Sequence, residues 1–290
     1  MSAPASSFVA ACATMRSGRD PLANRDAAVA LVREAAAAGA DFVQTPEMTS
    51  LVERDRAALF ETIGPEERDA TLAGLRDVAR ERRVTVHVGS LAVRSGDKVA
   101  NRAFLIDPEG EIVARYDKVH LFDVDLPNGE SWRESATYAG GDRAVLAETP
   151  WGLLGLTICY DVRFPALYRA LAEAGASILT APACFTRQTG EAHWHVLQRA
   201  RAIETGSFMI SAAQAGLHED GRETFGHSMI VDPWGRVLAE SGAEPGIVLA
   251  RVDTALVADA RGRIPALKNR RDFSVSVQGA ADARPRAAAE

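Results

Sequence analysis

Cysteine is scarce in this chain. Cys12, Cys159 and Cys184 are the only three in 290 residues, an odd and widely spaced set that excludes a disulfide framework and suits a reducing compartment. An excess of positive charge is also missing: 33 Lys and Arg stand against 39 Asp and Glu, with the basic residues scattered. That balance excludes an electrostatic draw toward phosphate backbones or anionic lipid, so neither nucleic acid nor a membrane is an expected partner. Long hydrophobic runs are absent. Phe8 to Met15 is too short for a span, and no basic stretch precedes it as in a secretory leader. A cytoplasmic protein is expected. Metal-ligand spacings are lacking too: no Cys-x-x-Cys or His-Glu-x-x-His occurs, and His193 and His195 would leave a helix in different directions.

What is present is the composition of an ordinary globule, 47% hydrophobic and 25% charged. Phe8 to Thr14 reads as a strand, Asp20-Pro21 as the start of a helix closed by Gly39, and Asp41 to Thr45 as a second strand. A helix is predicted over about 66–83. Strands follow at Val84 to Val93, Val99 to Ile106 and Glu111 to Tyr116, the last two joined by the turn Asp107-Pro108-Glu109-Gly110. Residues 120–143 read as a long polar connection of the kind that often carries function. Beyond it come strands near 144–148, 153–158, 177–181 and 207–214, with helices near 165–174 and 191–205. Ala103 to Ala114 and Ser228 to Ala239 share one outline, strand, Asp-Pro-x-Gly, strand, 125 residues apart. Asp-Pro-x-Gly is also simply a good turn. If the likeness is a repeat, each half runs β-α-β-α-β-β and two equivalent sheets pack face to face with helices outside, an α/β four-layer αββα sandwich. The expected organisation is a flexible 1–7, a single domain over 8–278 and a disordered tail over 279–290.

Three reactive side chains stand just after predicted strands: Glu47, Lys118 and Cys159. Strand ends line the ligand crevice in sheets with helical crossovers, so the three can converge. A carboxylate and an ammonium beside a thiol in a dry pocket would make a base, an activated nucleophile and a donor for an oxyanion, with Lys118 favouring thiolate. Each has a plainer reading: Cys159 as an inert core thiol, Lys118 as a solvated lysine beside a hairpin, Glu47 as a helix-cap carboxylate. A Cys159–His120 dyad lacks the local signature of papain-like proteases. Arg163 suits either a substrate carboxylate or a structural salt bridge.

Four blocks, Thr45-Pro46-Glu47, Tyr116 to Phe122, Gly155 to Pro165 and Gly226-His227-Ser228 leading into Asp232-Pro233-Trp234-Gly235, make the chain from about 8 to 273 resemble the nitrilase superfamily of carbon-nitrogen hydrolases. The resemblance implies a Glu47–Lys118–Cys159 triad, the αββα sandwich, no metal or organic cofactor, and a homodimer or larger homo-oligomer. It places a second glutamate at Glu134 to orient Lys118, and the backbone N–H of Tyr160 beside Lys118 at the oxyanion. Thr189 to Thr205 and Ile264-Pro265-Ala266 look most like the branch containing deaminated-glutathione amidase and ω-amidase, slightly nearer the first. The implied reaction is hydrolysis of a small amide to a carboxylic acid and ammonia through a cysteine thioester. Arg163, Phe185 and Arg187 are the candidate substrate-binding residues. Cys184, Thr186 and Glu191 depart from the branch's pattern, in or near a loop expected to border the pocket. Alternatives are a nitrile or N-carbamoyl hydrolase and, more remotely, a non-catalytic scaffold.

Overall fold

The strand read over Phe8 to Thr14 is buried on both faces in the computed structural model, which describes residues 6–278. The segments expected to be flexible or disordered, 1–7 and 279–290, lie outside the described residues apart from Ser6 and Ser7, and Ser7 already belongs to β1 (Ser7–Thr14). α1 (Pro21–Ala37) begins where Asp20 accepts hydrogen bonds from the Leu22 and Ala23 N–H groups. It buries Asn24, Ala28, Val32 and Ala35, the spacing of one helical face. β2 (Phe42–Gln44) follows, then α2 (Arg56–Thr62), a helix missing from the sequence reading and capped by Asp55. The helix predicted from 66 starts later, as α3 (Ala70–Arg82), because Asp69 caps it by accepting from Leu72 N–H. β3 (Thr85–Ser95), β4 (Lys98–Ile106) and β5 (Ile112–Asp117) complete the first half.

The stretch over 120–143 is more ordered than a loop. β6 (Asp123–Asp125) and β7 (Ser131–Arg133) form a hairpin, and β8 (Tyr138–Ala139) pairs with β4. The second half supplies β9 (Val145–Thr149), β10 (Gly152–Leu156), α4 (Pro165–Glu173), β11 (Ile178–Thr180), α5 (Arg187–Thr205) and β12 (Phe208–Ser211). A small hairpin of β13 (Ala215–Leu217) and β14 (Glu223–Phe225) precedes β15 (Met229–Val231), β16 (Val237–Glu240), β17 (Gly246–Asp253) and α6 (Ala255–Arg263).

The two halves repeat strand for strand. One sheet runs β17-β1-β2-β3-β4-β5, the other β16-β15-β12-β11-β10-β9. In the first, β1, β2 and β3 are parallel and β4 and β5 return antiparallel. In the second, β10, β11 and β12 are parallel and β15 and β16 return antiparallel. The Asp-Pro-x-Gly turns join β4 to β5 and β15 to β16, equivalent places, so the likeness between Ala103–Ala114 and Ser228–Ala239 is a repeat and not only a favoured turn. Phe8, Ala10, Cys12 and Phe42 meet Leu154, Ile178 and Phe208 in the layer between the sheets. Ala11, Val43 and Val86 face the other way, onto Ala28, Val32, Leu75 and Val78 of α1 and α3. Tyr168, Leu171 and Trp194 of α4 and α5 cover the second sheet. Burying an aliphatic or aromatic side chain of this size contributes about 1.5–3 kcal/mol, so both inner strand faces favour apolar residues. The result is the four-layer αββα sandwich, with the chain after β2, β5 and β10 gathered at one edge. Among the described residues no helix is long and apolar enough to cross a membrane.

Candidate active site

Glu47 follows β2 by three residues and Cys159 follows β10 by three, and the turns that carry them meet because one residue between them has no side chain. A Cβ on Gly89 of β3 would lie 2.1 Å from the Thr45 carbonyl oxygen, 2.5 Å from that of Pro46 and 2.6 Å from Pro182 Cβ. Cys159 donates its N–H to the Pro182 carbonyl at 2.9 Å and takes φ 48°, a left-handed conformation that L-residues rarely adopt. Met48, beside Glu47, is likewise left-handed at φ 56°. Gln214 ties that turn down, its Nε2 donating to the Glu47 and Met48 carbonyls at 3.1 Å each.

The side chains converge tightly. Lys118 Nζ donates to Glu47 Oε1 at 2.9 Å and to Glu134 Oε1 and Oε2 at 3.1 and 2.9 Å. Asn101 Nδ2 donates to Glu47 Oε1 at 2.9 Å and to Glu134 Oε1 at 3.1 Å. Glu47 Oε2 accepts the Cys184 N–H at 2.8 Å, and Glu134 Oε2 that of Phe122 at 2.6 Å. Glu47, Lys118 and Cys159 are 3%, 2% and 6% exposed, so the charges act on one another with little screening by water.

Burial by itself would raise the Glu47 carboxyl; the Lys118 ammonium, with hydrogen bonds from Lys118 and Asn101 and the neighbouring Cys159 thiol, outweighs it and holds Glu47 below the ordinary carboxylate range. Lys118 is driven the other way from what burial alone would do, well above an ordinary lysine, by Glu134 and Glu47. The Cys159 thiol is pushed well above an ordinary cysteine, first by burial and then by the Glu47 charge, against which Lys118 is too weak a counterweight. Lys118 pulls toward thiolate as expected, but burial and the Glu47 charge outweigh it. The resting site holds a thiol, a carboxylate and an ammonium, and the thiol proton must leave during attack.

Three of the contributing residues were not read from the sequence. Asn101 is a buried carboxamide in strand β4, next to Arg102, a legible but unspecific signal. Asp161, two residues after Cys159, fastens the nucleophile's turn: Oδ2 accepts from Ile158 N–H at 2.9 Å and Tyr116 Oη at 2.7 Å, and Oδ1 accepts from His120 N–H at 3.0 Å. His120 Nδ1 also stands 2.7 Å from Asp161 Oδ1, so His120 is engaged with that carboxylate and not paired with Cys159. Arg222, in the turn between β13 and β14, gave no sequence signal at all.

A cavity of about 260 Å³ opens onto the thiol. Its walls include Tyr160, Arg163, Phe185, Trp132, Tyr138 and Arg222, together with Cys184 and Thr186, two of the residues that depart from the branch's pattern. Arg163 lies over the Tyr160 and Phe185 rings and meets His193 Nδ1 at 3.2 Å. Arg187 is not among the residues lining this cavity. It ion-pairs on the surface with Glu191 at 2.9 Å and Glu223 at 2.7 Å, so the third departure, Glu191, is a surface partner of Arg187. His193 and His195 point apart as expected, His195 meeting Glu240 with His227.

Comparison with known proteins agrees with this fold. A curated deaminated glutathione amidase from Synechocystis is 39% identical over 268 residues, covering 91% of this chain and 98% of that one. The crystal structure of the C. elegans NitFhit protein superposes with a TM-score of 0.85 at 32% identity over 92% of this chain, which spans 66% of that longer one. A glutamine-for-glutamate mutant of the amidase from Nesterenkonia sp. AN1, showing covalent addition of the acetamide moiety of fluoroacetamide at its active-site cysteine, superposes with a TM-score of 0.77 at 27% identity, covering 93% of this chain and 97% of that one. The model of the carbon-nitrogen hydrolase family matches residues 9–262. With nearly the whole sandwich inside that match, the chain belongs to the carbon-nitrogen hydrolases of the nitrilase superfamily.

Proposed function

We propose that this protein is an amidase that cleaves a small carboxylate-bearing amide through a Cys159 thioester, with deaminated glutathione as its substrate. The observation that carries the reading is the buried contact of Glu47, Lys118 and Glu134 beside Cys159 at the floor of a cavity. As Cys159 Sγ attacks the carbonyl carbon, its proton passes to Glu47 and the developing oxyanion is held by Lys118 and the Tyr160 N–H. Collapse breaks the C–N bond while Glu47 returns the proton to the departing amine, leaving the acyl group on sulfur. Water then attacks the thioester, Glu47 takes its proton, the C–S bond breaks and Cys159 regains a proton. Glu134 orients Lys118 and, with Asn101, fixes the ammonium between two carboxylates. The departing group is ammonia for a primary amide; for deaminated glutathione it is the amine of cysteinylglycine, a refinement of the ammonia expected from sequence.

Relatives named deaminated glutathione amidase support the substrate. The rates on deaminated glutathione and on α-ketoglutaramate test it head to head: the first is expected to have the higher kcat/KM, and the reverse order would reassign the enzyme as an ω-amidase. Arg163 is proposed to grip a substrate carboxylate. Arg163→Ala is expected to raise KM about 10-fold or more, the effect of losing a charge-assisted contact, while Arg187→Ala leaves KM within about 2-fold. Steady-state kinetics of the two variants side by side decide this, and equal effects would contradict it.

The pH dependence follows from the shifts. Glu47 is depressed, so its carboxylate persists as pH falls past the ordinary carboxylate range; Lys118 and Cys159 are raised, so both keep their protons until well into the alkaline range. A profile of kcat/KM is therefore expected to be flat between about pH 6 and 8, where an unperturbed histidine titrates. A limb within that window would contradict Glu47 as the base.

Self-association is part of the proposal. Ile203 of α5, Trp234 and Leu256 of α6 are exposed apolar side chains on one side of the second sheet, a suitable contact between copies. Three buried free thiols favour a reducing, cytoplasmic setting.

A further inference from the structure

The guanidinium of Arg222 stands in the cavity wall without a partner equal to its charge. Its side chain is only 18% exposed, and among the described residues the one carboxylate within 4 Å is Asp220, 3.9 Å from Nε. Nε and Asp220 Oδ2 are both buried without a hydrogen bond. Nη1 reaches Cys184 Sγ at 3.4 Å, and the guanidinium carbon lies 4.4 Å from the centre of the Trp132 ring. Asp220 offsets part of this charge without hydrogen-bonding to Nε, the one short contact of the fork is to a thiol, and an anionic ligand would fill the donors left open.

The backbone beneath it is rigidly anchored. His218 N–H donates to the Arg222 carbonyl at 2.8 Å, Arg222 N–H donates to Asp220 Oδ1 at 2.9 Å, and the buried His218 ring is fixed between the Ser17 carbonyl and Thr224 Oγ1 at 2.8 Å each. Arg222 therefore presents its fork from a fixed point. It does so on the side of the base: Cys184, which touches Arg222 through sulfur, donates its N–H to Glu47 Oε2. In the proposed reaction Glu47 protonates the departing amine, so the departing half of the substrate lies toward Glu47. Arg163, four residues beyond Cys159, belongs to a different element and lies over Tyr160 and Phe185.

From this placement we infer that Arg222 forms a second anion subsite, which binds a carboxylate carried by the leaving amine. The inference rests on the thioester reading above and deepens it: the preferred substrate class is an N-substituted amide with an anionic group on each side of the scissile bond, Arg163 serving the acyl side and Arg222 the amine side. Deaminated glutathione has this form; α-ketoglutaramate, whose leaving group is ammonia, has only the first anion.

The test compares the parent enzyme with Arg222→Gln and Arg222→Lys on deaminated glutathione, on its C-terminal carboxamide and on α-ketoglutaramate. Arg222→Gln is expected to lower kcat/KM on deaminated glutathione by about 10- to 100-fold, the scale of one or two charge-assisted hydrogen bonds. The losses on the two substrates without that carboxylate should be at least about 5-fold smaller, and Arg222→Lys should recover part of the difference. Equal losses on all three, or none on deaminated glutathione, would overturn the subsite. If the parent does not cleave deaminated glutathione, the proposed substrate fails, and inhibition of α-ketoglutaramate hydrolysis by cysteinylglycine against cysteinylglycinamide then decides. Stronger inhibition by the carboxylate, abolished in Arg222→Gln, upholds the subsite; equal inhibition overturns it.

Discussion

Cys159→Ala is expected to reduce turnover by about five orders of magnitude, to the limit of detection, while the thermal unfolding midpoint stays within a few degrees of the parent. Loss of a nucleophile leaves only the rate supplied by binding and by the remaining oxyanion donors, and removal of one member of such a set costs nearly as much as removal of all. The fold should survive for a local reason. Cys159 is fixed by its backbone, through the N–H to the Pro182 carbonyl and through Asp161 on the Ile158 N–H, and neither bond uses the sulfur. Alanine keeps the Cβ and loses one buried atom at the cavity floor. Product formation measured together with a melting curve checks both halves. Parent-like release of product by the folded variant would remove Cys159 from the chemistry.

Glu47→Gln is the second large effect. Lys118 Nζ, Asn101 Nδ2 and Cys184 N–H all donate to the Glu47 carboxylate, so a carboxamide turns one of its own donors toward donors and has no basic oxygen to take the thiol proton. General-base removal costs about two to four orders of magnitude in kcat. A second readout separates this from misfolding. The Glu47 charge is one of the forces that raise the Cys159 thiol, while Lys118 pulls it down. With the carboxylate gone, thiol ionisation should move to lower pH, seen as a downward shift in the pH profile of iodoacetamide alkylation. A variant with parent-like kcat, or with an alkylation profile moved upward, would contradict the assignment.

These effects concern residues that sequence alone could identify, and the reason is that chemistry restricts residue type while packing restricts only character. Glu47, Lys118 and Cys159 each sit just beyond a strand, where the apolar pattern stops, yet singly each had a plainer reading, and the family resemblance of the four blocks joined them into a triad. Asp161 was visible in the same block but unremarkable, because a buried acid beside a nucleophile and a turn-capping acid look alike in sequence. Its partners Tyr116 and His120 lie about forty residues away. Gln214 acts on Glu47 across a still longer separation and Arg222 reaches Cys184 across a similar one, and nothing local distinguishes them from polar loop residues. The net direction of the thiol's ionisation is not legible in the sequence for a related reason. It depends on burial and on the relative placement of Glu47 and Lys118, which composition does not contain. Among secondary elements, α2 was missed because its seven residues bury only Leu59 and so lack a periodic apolar face. The hairpin of β6 and β7 hid in a polar segment whose pairing rests on short side-chain bonds such as Ser131 to Asp125.

The central claim is that the acyl half of the substrate becomes bonded to Cys159 before water releases it. The most direct measurement mixes the parent enzyme with deaminated glutathione, quenches in acid during turnover, and maps any mass gain by peptide mass spectrometry. The account predicts an α-ketoglutaryl increment on the peptide holding Cys159. An increment on any other residue, or product formed with no acylated enzyme at any quench time, would contradict it.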